Sequence, residues 1–436
     1  MRHRVVITGM GLCTPLGRSV EEFWRHLLAG HSGISRIALF DTRSLPVQIG
    51  GEVKNFGPDD LSGEFPEAKS EKDRKIWLGL AAAAQALDRS GLPAEAFESA
   101  PLFVGVSLET FFLQDITPLD RAADAARDLA SRLLHQQPSR QLQTPLDRLT
   151  QILGNHYGLN GGRYTNCSAC AAGAQVVGEA FRRLRDGTAE VAVAGAADST
   201  LNPLALGGFS LLHILSTEND EPERACRPFD ATRQVTVLAE GAAFIVLETL
   251  AHAQRRGAQI YAEVLGYGSS LDAYRVTDPE PNGRGAVLSM AGAMADAGLG
   301  PGEIDCINAH GTGTPKNDLA ETLAIKQALG ARAKDIPVTA NKSMTGHMIA
   351  AAGAVARWTG TGELAMTFFA TLPNSRLTRS TSSAPRPWVV MTTMSAFSFL
   401  TAFRISVAAS PWTSRTSKAG QAFNSLAQTL SSFVLA

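Results

Sequence analysis

The chain has no uninterrupted apolar stretch of the roughly 18 residues that a membrane-spanning helix needs. Its nearest candidate, Val389 to Ala409, is broken by threonine, serine and Arg404, so no membrane partner is expected. Charge of either sign is not in excess: 40 basic and 41 acidic residues give a formal net charge of −1. With the basic residues dispersed, there is no electrostatic footprint for nucleic acid. Cysteine is scarce and odd in number, five in 436 residues. That argues against a disulfide framework and for a reducing compartment, so a cytoplasmic protein is expected. The start, Met1-Arg2-His3-Arg4, leads straight into a strand-like segment rather than the apolar core of a signal peptide. Cys167 and Cys170 spell C-x-x-C, but no second such pair exists to complete a zinc site, which leaves a redox pair or half a metal site as the lesser alternative. Acidic residues are missing altogether after Glu363, where serine, threonine and arginine take over.

Three clusters carry the chemistry, in this order: Ser168-Ala169-Cys170-Ala171-Ala172-Gly173, Asn308-Ala309-His310-Gly311-Thr312-Gly313-Thr314-Pro315, and Asn341-Lys342-Ser343-Met344-Thr345-Gly346-His347. A strand or turn over Gly162 to Asn166 and helical spacing from Ala171 to Asp186 predict a strand–turn–helix elbow with the Cys170 sulfur at its apex. Unpaired N–H groups at a helix start favour thiolate, so a lowered thiol pKa is expected there. Cys13, Cys226 and Cys306 lack such a setting and read as buried hydrophobes. His310 follows the apolar stretch Ile304 to Ile307 and precedes a glycine-rich loop, as a strand-end histidine facing a cleft would. His347 precedes the small-residue run Ile349 to Val355, a loop feeding a buried helix. The other seven histidines have no comparable context and read as structural. One thiol and two imidazoles among small residues make a plausible site for carbon–carbon bond formation.

On these clusters the chain resembles the 3-oxoacyl-[acyl-carrier-protein] synthases, or beta-ketoacyl synthases, of the thiolase-like superfamily. The likeness runs from Arg4 to about Gly353. It includes the opening Val5-Val6-Ile7-Thr8-Gly9-Met10-Gly11 with Thr14-Pro15-Leu16-Gly17, then Arg227-Pro228-Phe229-Asp230, and Glu240-Gly241-Ala242. The resemblance implies an α/β, five-layered αβαβα fold of two related halves, and decarboxylative Claisen condensation of an acyl thioester with malonyl carrier protein in fatty acid or polyketide synthesis. Cys170 would accept the acyl group, and His310 and His347 would stabilise the enolate formed as carbon dioxide leaves. Lys342 and Glu321, with Asp318 in support, match the groups that organise the site, and Thr312 and Thr314 match the threonines that bind the phosphopantetheine arm. Lys342 read alone could be a surface lysine, and Asp318 and Glu321 could simply begin a helix. No metal or other cofactor is implied, since the arm arrives with the substrate. Acyl carrier protein and a second like or related subunit are the implied partners.

The expected organisation is a first half over residues 1–250 carrying the thiol and a second over 251–410 carrying both histidines, followed by a disordered tail over 411–436. Strands are expected at Val5 to Thr8, Leu102 to Val106, Val191 to Ala194, Ala243 to Leu247 and Glu263 to Leu265, with helices at Lys75 to Ser90 and Gly285 to Ala297. Glu109 to Gln151 is an insertion with helical spacing, which in relatives helps form the dimer edge and acyl pocket. Arg182, Arg183 and Arg185 form a local basic cluster, a solvated helix face or a docking patch for an acidic carrier. Two departures stand out. Gln234-Val235-Thr236-Val237-Leu238 replaces a glycine–phenylalanine motif, and bulkier residues there are expected to crowd a loop near the pocket. Ser395-Ala396-Phe397-Ser398-Phe399-Leu400-Thr401 stands where relatives have a glycine-rich loop giving the second oxyanion donor and the pocket gate, so Phe399 is the candidate for both and a misplaced loop is expected. Family likeness and acidity vanish almost together, which points to a shifted reading frame after about Gly353. A non-catalytic partner subunit and a degradative thiolase are the competing function classes. Retention of Cys170 speaks against the first, and the lack of any cysteine after Cys306 against the second.

Overall fold

Glycines let a long helix lie directly on the first strand. β1 (Val5–Cys13) carries Gly9 and Gly11 on the face covered by α1 (Arg74–Ser90). A Cβ at Gly9 would stand 2.2 Å from the Ala86 carbonyl oxygen, and one at Gly11 2.1 Å from that of Ala82. The opening motif is thus a packing requirement. Asp73 starts α1 by accepting the Lys75 N–H, and Gly91 ends it in the left-handed region.

The computed structural model describes residues 2–108, 144–275 and 278–355, and the backbone of two strands at 388–394 and 398–404. After β1 come a short hairpin, β2 (Ile34–Arg36) with β3 (Ile49–Gly51), and then β4 (Leu102–Gly105), β5 (Arg163–Asn166), α2 (Ala172–Arg185), β6 (Val191–Ser199), β7 (Glu240–Thr249) and β8 (Ala262–Ser269). α3 (Arg284–Ala297), β9 (Ile307–Asn308), α4 (Pro315–Leu329), β10 (Val338–Thr339) and α5 (Ala350–Val355) follow, then β11 (Trp388–Met394) and β12 (Ser398–Arg404). The largest sheet runs β11-β12-β8-β1-β7-β6-β4-β5, with β4 parallel to both β5 and β6, and β9 pairs in parallel with β10.

β8 is where the sheet turns over. Its first residues pair with β1, at Val5↔Val264 and Ile7↔Ala262, and the strand then continues against β12 alone. Successive side chains of a strand face opposite ways, so Tyr267 packs against Gly178 of α2 while Gly266 and Gly268 lie against α3. The result is α1, the β1/β7/β6/β4/β5 portion, α2 with α5, the β8/β12/β11 portion, and α3 with α4, in that order. This is the five-layered αβαβα arrangement. Apolar clusters fill the spaces: Leu78, Ala82 and Phe244 under α1, Val177, Ala196 and Ala351 around α2 and α5, and Met290, Ile307 and Ile325 under α3 and α4.

The expected elements form within a residue or two of their limits, except that β1, β6, β7 and β8 are longer and β9 is only two residues. Of the insertion, residues 109–143, including His135, lie outside the described residues, as do 356–387 and the tail at 411–436. The arginine cluster is pinned: Arg182 lies 4.7 Å over the Tyr267 ring, Arg183 5.4 Å over Tyr164, and Arg185 pairs with Asp296 at 2.5 Å. The misplaced loop expected around Phe399 is instead part of β12. Ser398, Phe399, Leu400 and Thr401 pair with Met394, Thr393, Thr392 and Met391, and Phe399 also faces Ser269 of β8. Bulky and β-branched residues suit a strand where glycines would suit a loop. Among the described residues no helix is long and apolar enough to cross a membrane.

The approach of α5 to α2 has a testable cost. A Cβ at Gly173 would stand 2.5 Å from the Ala350 carbonyl oxygen, and one at Gly353 2.7 Å from the Ala174 nitrogen. Gly173→Ala is therefore expected to destabilise by about 1–3 kcal/mol, read as a lower urea midpoint; an unchanged midpoint would show that the helices can part freely.

Candidate active site

Cys170 follows the carboxyl end of β5. The Asn166 side chain closes the turn, accepting the Ser168 N–H at 2.9 Å and donating to Gln175 Oε1 at 2.7 Å. Ala169 then takes φ +51°, and one 3₁₀ turn over Ala169–Ala171 leads into α2. The elbow is as the sequence predicts, with a strained residue just before the sulfur. Cys170 keeps some exposure, Cys167 is exposed, and both are free thiols. The lowered thiol pKa does not follow. Burial pushes Cys170 up to about 11, against the opposing pull of the Lys342 ammonium. Loss of hydration outweighs the helix start, so the resting group is a thiol.

The loop carrying His310 is clamped from both sides. Ala309 N–H donates to the Thr339 carbonyl at 2.7 Å, extending the β9–β10 pairing. Glu321, on α4, accepts the His310 N–H at 2.7 Å and the Gly311 N–H at 2.9 Å, while Lys342 Nζ donates to the His310 carbonyl at 2.6 Å. Lys342 is 1% exposed, which removes the surface-lysine reading. Asp318 lies in the first turn of a helix and Glu321 in the second, yet their carboxylates are buried and bind loop amides. Burial pushes Glu321 up and Lys342 down, with the two amide donors opposing the first shift. Asp318 accepts the Phe229 N–H at 2.7 Å and the Gly313 N–H at 3.2 Å, tying the Arg227-Pro228-Phe229-Asp230 turn to the histidine loop. Phe229 needs that tie because it sits at φ +63°. Thr312 Oγ1 and Thr314 Oγ1 lie 2.9 Å apart, the first buried and the second part-exposed.

His347 is held by the segment expected to crowd the pocket. Its N–H donates to the Val237 carbonyl at 2.7 Å, and its own carbonyl accepts from Ala239 N–H at 2.9 Å. Val237 and Leu238 are buried and serve as a backbone splint. The Ile349 N–H donates to His347 Nδ1 at 3.1 Å. A ring nitrogen that accepts is unprotonated, so the neutral imidazole carries its proton on Nε2. Burial and the nearby Lys342 hold both histidines well below the usual imidazole pKa, and His347 adds to the effect on His310. Both are neutral at physiological pH.

The Cys170 sulfur and one ring nitrogen each of His310 and His347 lie within 4.8 Å of one another. The rings meet edge to face with centroids 5.3 Å apart. Three ligands at this separation could also hold a soft cation, but a neutral His347 protonated on Nε2 offers that nitrogen as a donor rather than a ligand. Phe399 belongs to β12 with a strand on each side, a setting in which backbone amides serve the ladder. The sequence reading missed Asp198, a 2% exposed acid at the end of β6 whose charge acts on the Cys170 thiol. Its signal was a single charge closing the small-residue run Val191 to Ala197.

Comparison with known proteins agrees with this geometry. The beta-ketoacyl synthase N-terminal domain matches residues 2–253, and the C-terminal domain matches residues 261–361. A 3-oxoacyl-[acyl-carrier-protein] synthase 2 of Vibrio cholerae is 40% identical over 360 residues, covering 81% of this chain and 84% of that protein. A beta-ketoacyl synthase from Burkholderia phymatum has a similar structure at a TM-score of 0.74 and 27% identity, over 93% of this chain and 100% of that one. A type II polyketide ketosynthase structure, in complex with its acyl-carrier protein, is 26% identical at a TM-score of 0.72, with the same coverage. With both domains matched in order and the thiol and two imidazoles gathered in one site, the chain belongs to the beta-ketoacyl synthase family.

Proposed function

We propose that this protein is a 3-oxoacyl-[acyl-carrier-protein] synthase, an acyltransferase that condenses an acyl thioester with malonyl carrier protein. The observation that carries the reading is the convergence of Cys170, His310 and His347 within 4.8 Å. In the first half-reaction the Cys170 sulfur attacks the acyl thioester. The acyl group passes to the enzyme, and the thiol proton ends on the departing pantetheine sulfur. In the second, the malonyl thioester loses carbon dioxide, and its carbonyl oxygen becomes an enolate facing neutral imidazole N–H donors. The enolate carbon then forms a bond to the acyl carbon, expelling the Cys170 sulfur. Neutral donors in a buried site stabilise charge only where it develops, and need no reorganisation. Lys342 and Glu321 act by fixing the His310 loop. Thr312 and Thr314 are the proposed hydrogen-bonding partners of the pantetheine arm, and Asp318 fixes the turn between them.

The chemistry calls for no metal or resident cofactor: the thioester activates the acyl carbon and decarboxylation supplies the carbanion. Acyl carrier protein is the proposed partner, and a dimer with a like or related subunit the proposed assembly. A cytoplasmic setting accords with five free cysteines.

A second reading, a catalytically impaired condensing enzyme, is favoured by two observations. The family match ends at residue 361 and the acidic residues end at Glu363. A reading frame shifted near that point, slightly later than Gly353, accounts for both; resequencing the gene would settle it, and an unbroken frame at both ends would overturn it. Incubation with acyl and malonyl carrier proteins separates the two readings. A 3-oxoacyl-carrier-protein product detected by mass supports the active enzyme, whereas loading without product supports the impaired one.

A further inference from the structure

The chain from His347 to Ala350 is a run of dependent contacts ending on Asp198. The His347 ring accepts from the Ile349 N–H at 3.1 Å. Ile349 itself has φ +41°, a left-handed conformation that a β-branched residue adopts only when its surroundings impose it. The next residue, Ala350, donates its N–H to Asp198 Oδ2 at 3.0 Å. On its other oxygen Asp198 accepts the Ser199 N–H at 3.0 Å. Ala350 also abuts Gly173, three residues past Cys170.

We propose that Asp198 is a positioning residue for His347: by holding the Ala350 N–H it keeps Ile349 in its left-handed conformation, and so keeps the Ile349 N–H on His347 Nδ1 and the proton on Nε2.

The groups facing Asp198 come from three elements. Lys75, at the start of α1, pairs with Asp73 at 3.0 Å and donates to the Leu108 carbonyl at 2.7 Å. The Ser107 hydroxyl lies beside the carboxylate, just past β4, and the Cys170 thiol senses its charge from the α2 side. Burial pushes Asp198 up to about 6, with Lys75 opposing and Asp73 adding to the shift. Above that pH the group is a carboxylate and a strong acceptor for the Ala350 N–H. Below it the group is protonated and the hold weakens, so the donor function of His347 declines as pH falls through about 6. Glu321 titrates in the same buried region, but its contribution is common to wild type and Asp198 variants and cancels in the comparison.

The kinetic arm of the test rests on the condensing-enzyme reading; the spectroscopic arm does not. The full-length protein is labelled with ¹⁵N-histidine, and the His347 signals are identified by their loss in His347→Ala. In Asp198→Ala the His347 Nδ1 signal is expected to shift and the single tautomer to give way to a mixture. Malonyl decarboxylation should fall tenfold or more while acyl loading of Cys170 stays within about threefold. Asp198→Asn keeps an acceptor oxygen without the charge; it should retain more activity and lose the part of the acid limb centred near pH 6 that wild type shows. Unchanged His347 ring-nitrogen signals in a folded Asp198→Ala protein would overturn the proposal, as would equal loss of loading and decarboxylation. Should Asp198→Ala fail to fold, Asp198→Asn decides: an acid limb identical to wild type overturns the proposal, and a lost limb supports it. Should wild type show no decarboxylation, the functional reading fails, and the His347 spectrum alone judges the role of Asp198.

Discussion

Cys170→Ala is expected to abolish acyl-enzyme formation, while Cys167→Ala retains most of it. Only Cys170 sits at the elbow before α2, within 4.8 Å of nitrogens from both histidines. Cys167 is exposed on the turn before it. The sulfur is the bond-forming atom, so its removal leaves no route to a thioester intermediate. The measurement is intact mass after incubation with acyl-carrier protein: a mass shift in wild type and Cys167→Ala and none in Cys170→Ala. The reverse pattern would assign the wrong thiol.

His310→Ala and His347→Ala should each slow malonyl decarboxylation by about 100- to 1,000-fold, the range for losing one donor to a developing oxyanion, and affect loading of Cys170 much less. The expectation follows from their protonation state. Buried beside Lys342 and each other, both are neutral, and the Ile349 N–H occupies His347 Nδ1. Such rings donate hydrogen bonds well and need not take the thiol proton. Separate rate measurements for acyl transfer and for carbon dioxide release check this division, and equal losses in both steps would contradict it.

The site was legible because its chemistry is local in sequence. A thiol before helical spacing, and histidines beside glycine-rich turns, fix the elbow and the two loops without long-range knowledge. The clamps around them were less legible. Glu321 and Asp318 look like ordinary helix-start acids, and only the fold brings their carboxylates onto the amides of His310, Gly311, Gly313 and Phe229. Val237 and Leu238 read as obstacles because side-chain bulk is visible in sequence; the backbone bridge they lend to His347 is not. The thiol pKa was misread for a related reason, since the helix start is local whereas burial comes from the whole fold. Around Phe399 a resemblance to a glycine-rich loop prevailed over residue preference, although Phe399, Thr401 and Phe403 favour the strand observed.

The central claim is that one thiol and two imidazoles act in sequence on two thioesters. It is tested most directly by isolating the unmodified protein acylated on Cys170 and adding malonyl carrier protein in a single turnover followed by mass. The account predicts that the Cys170 adduct disappears as a carrier-bound 3-oxoacyl product, two carbons longer than the acyl group, appears in equal amount. An adduct that persists while malonyl carrier protein is consumed, or that is released only as free acid, would contradict it.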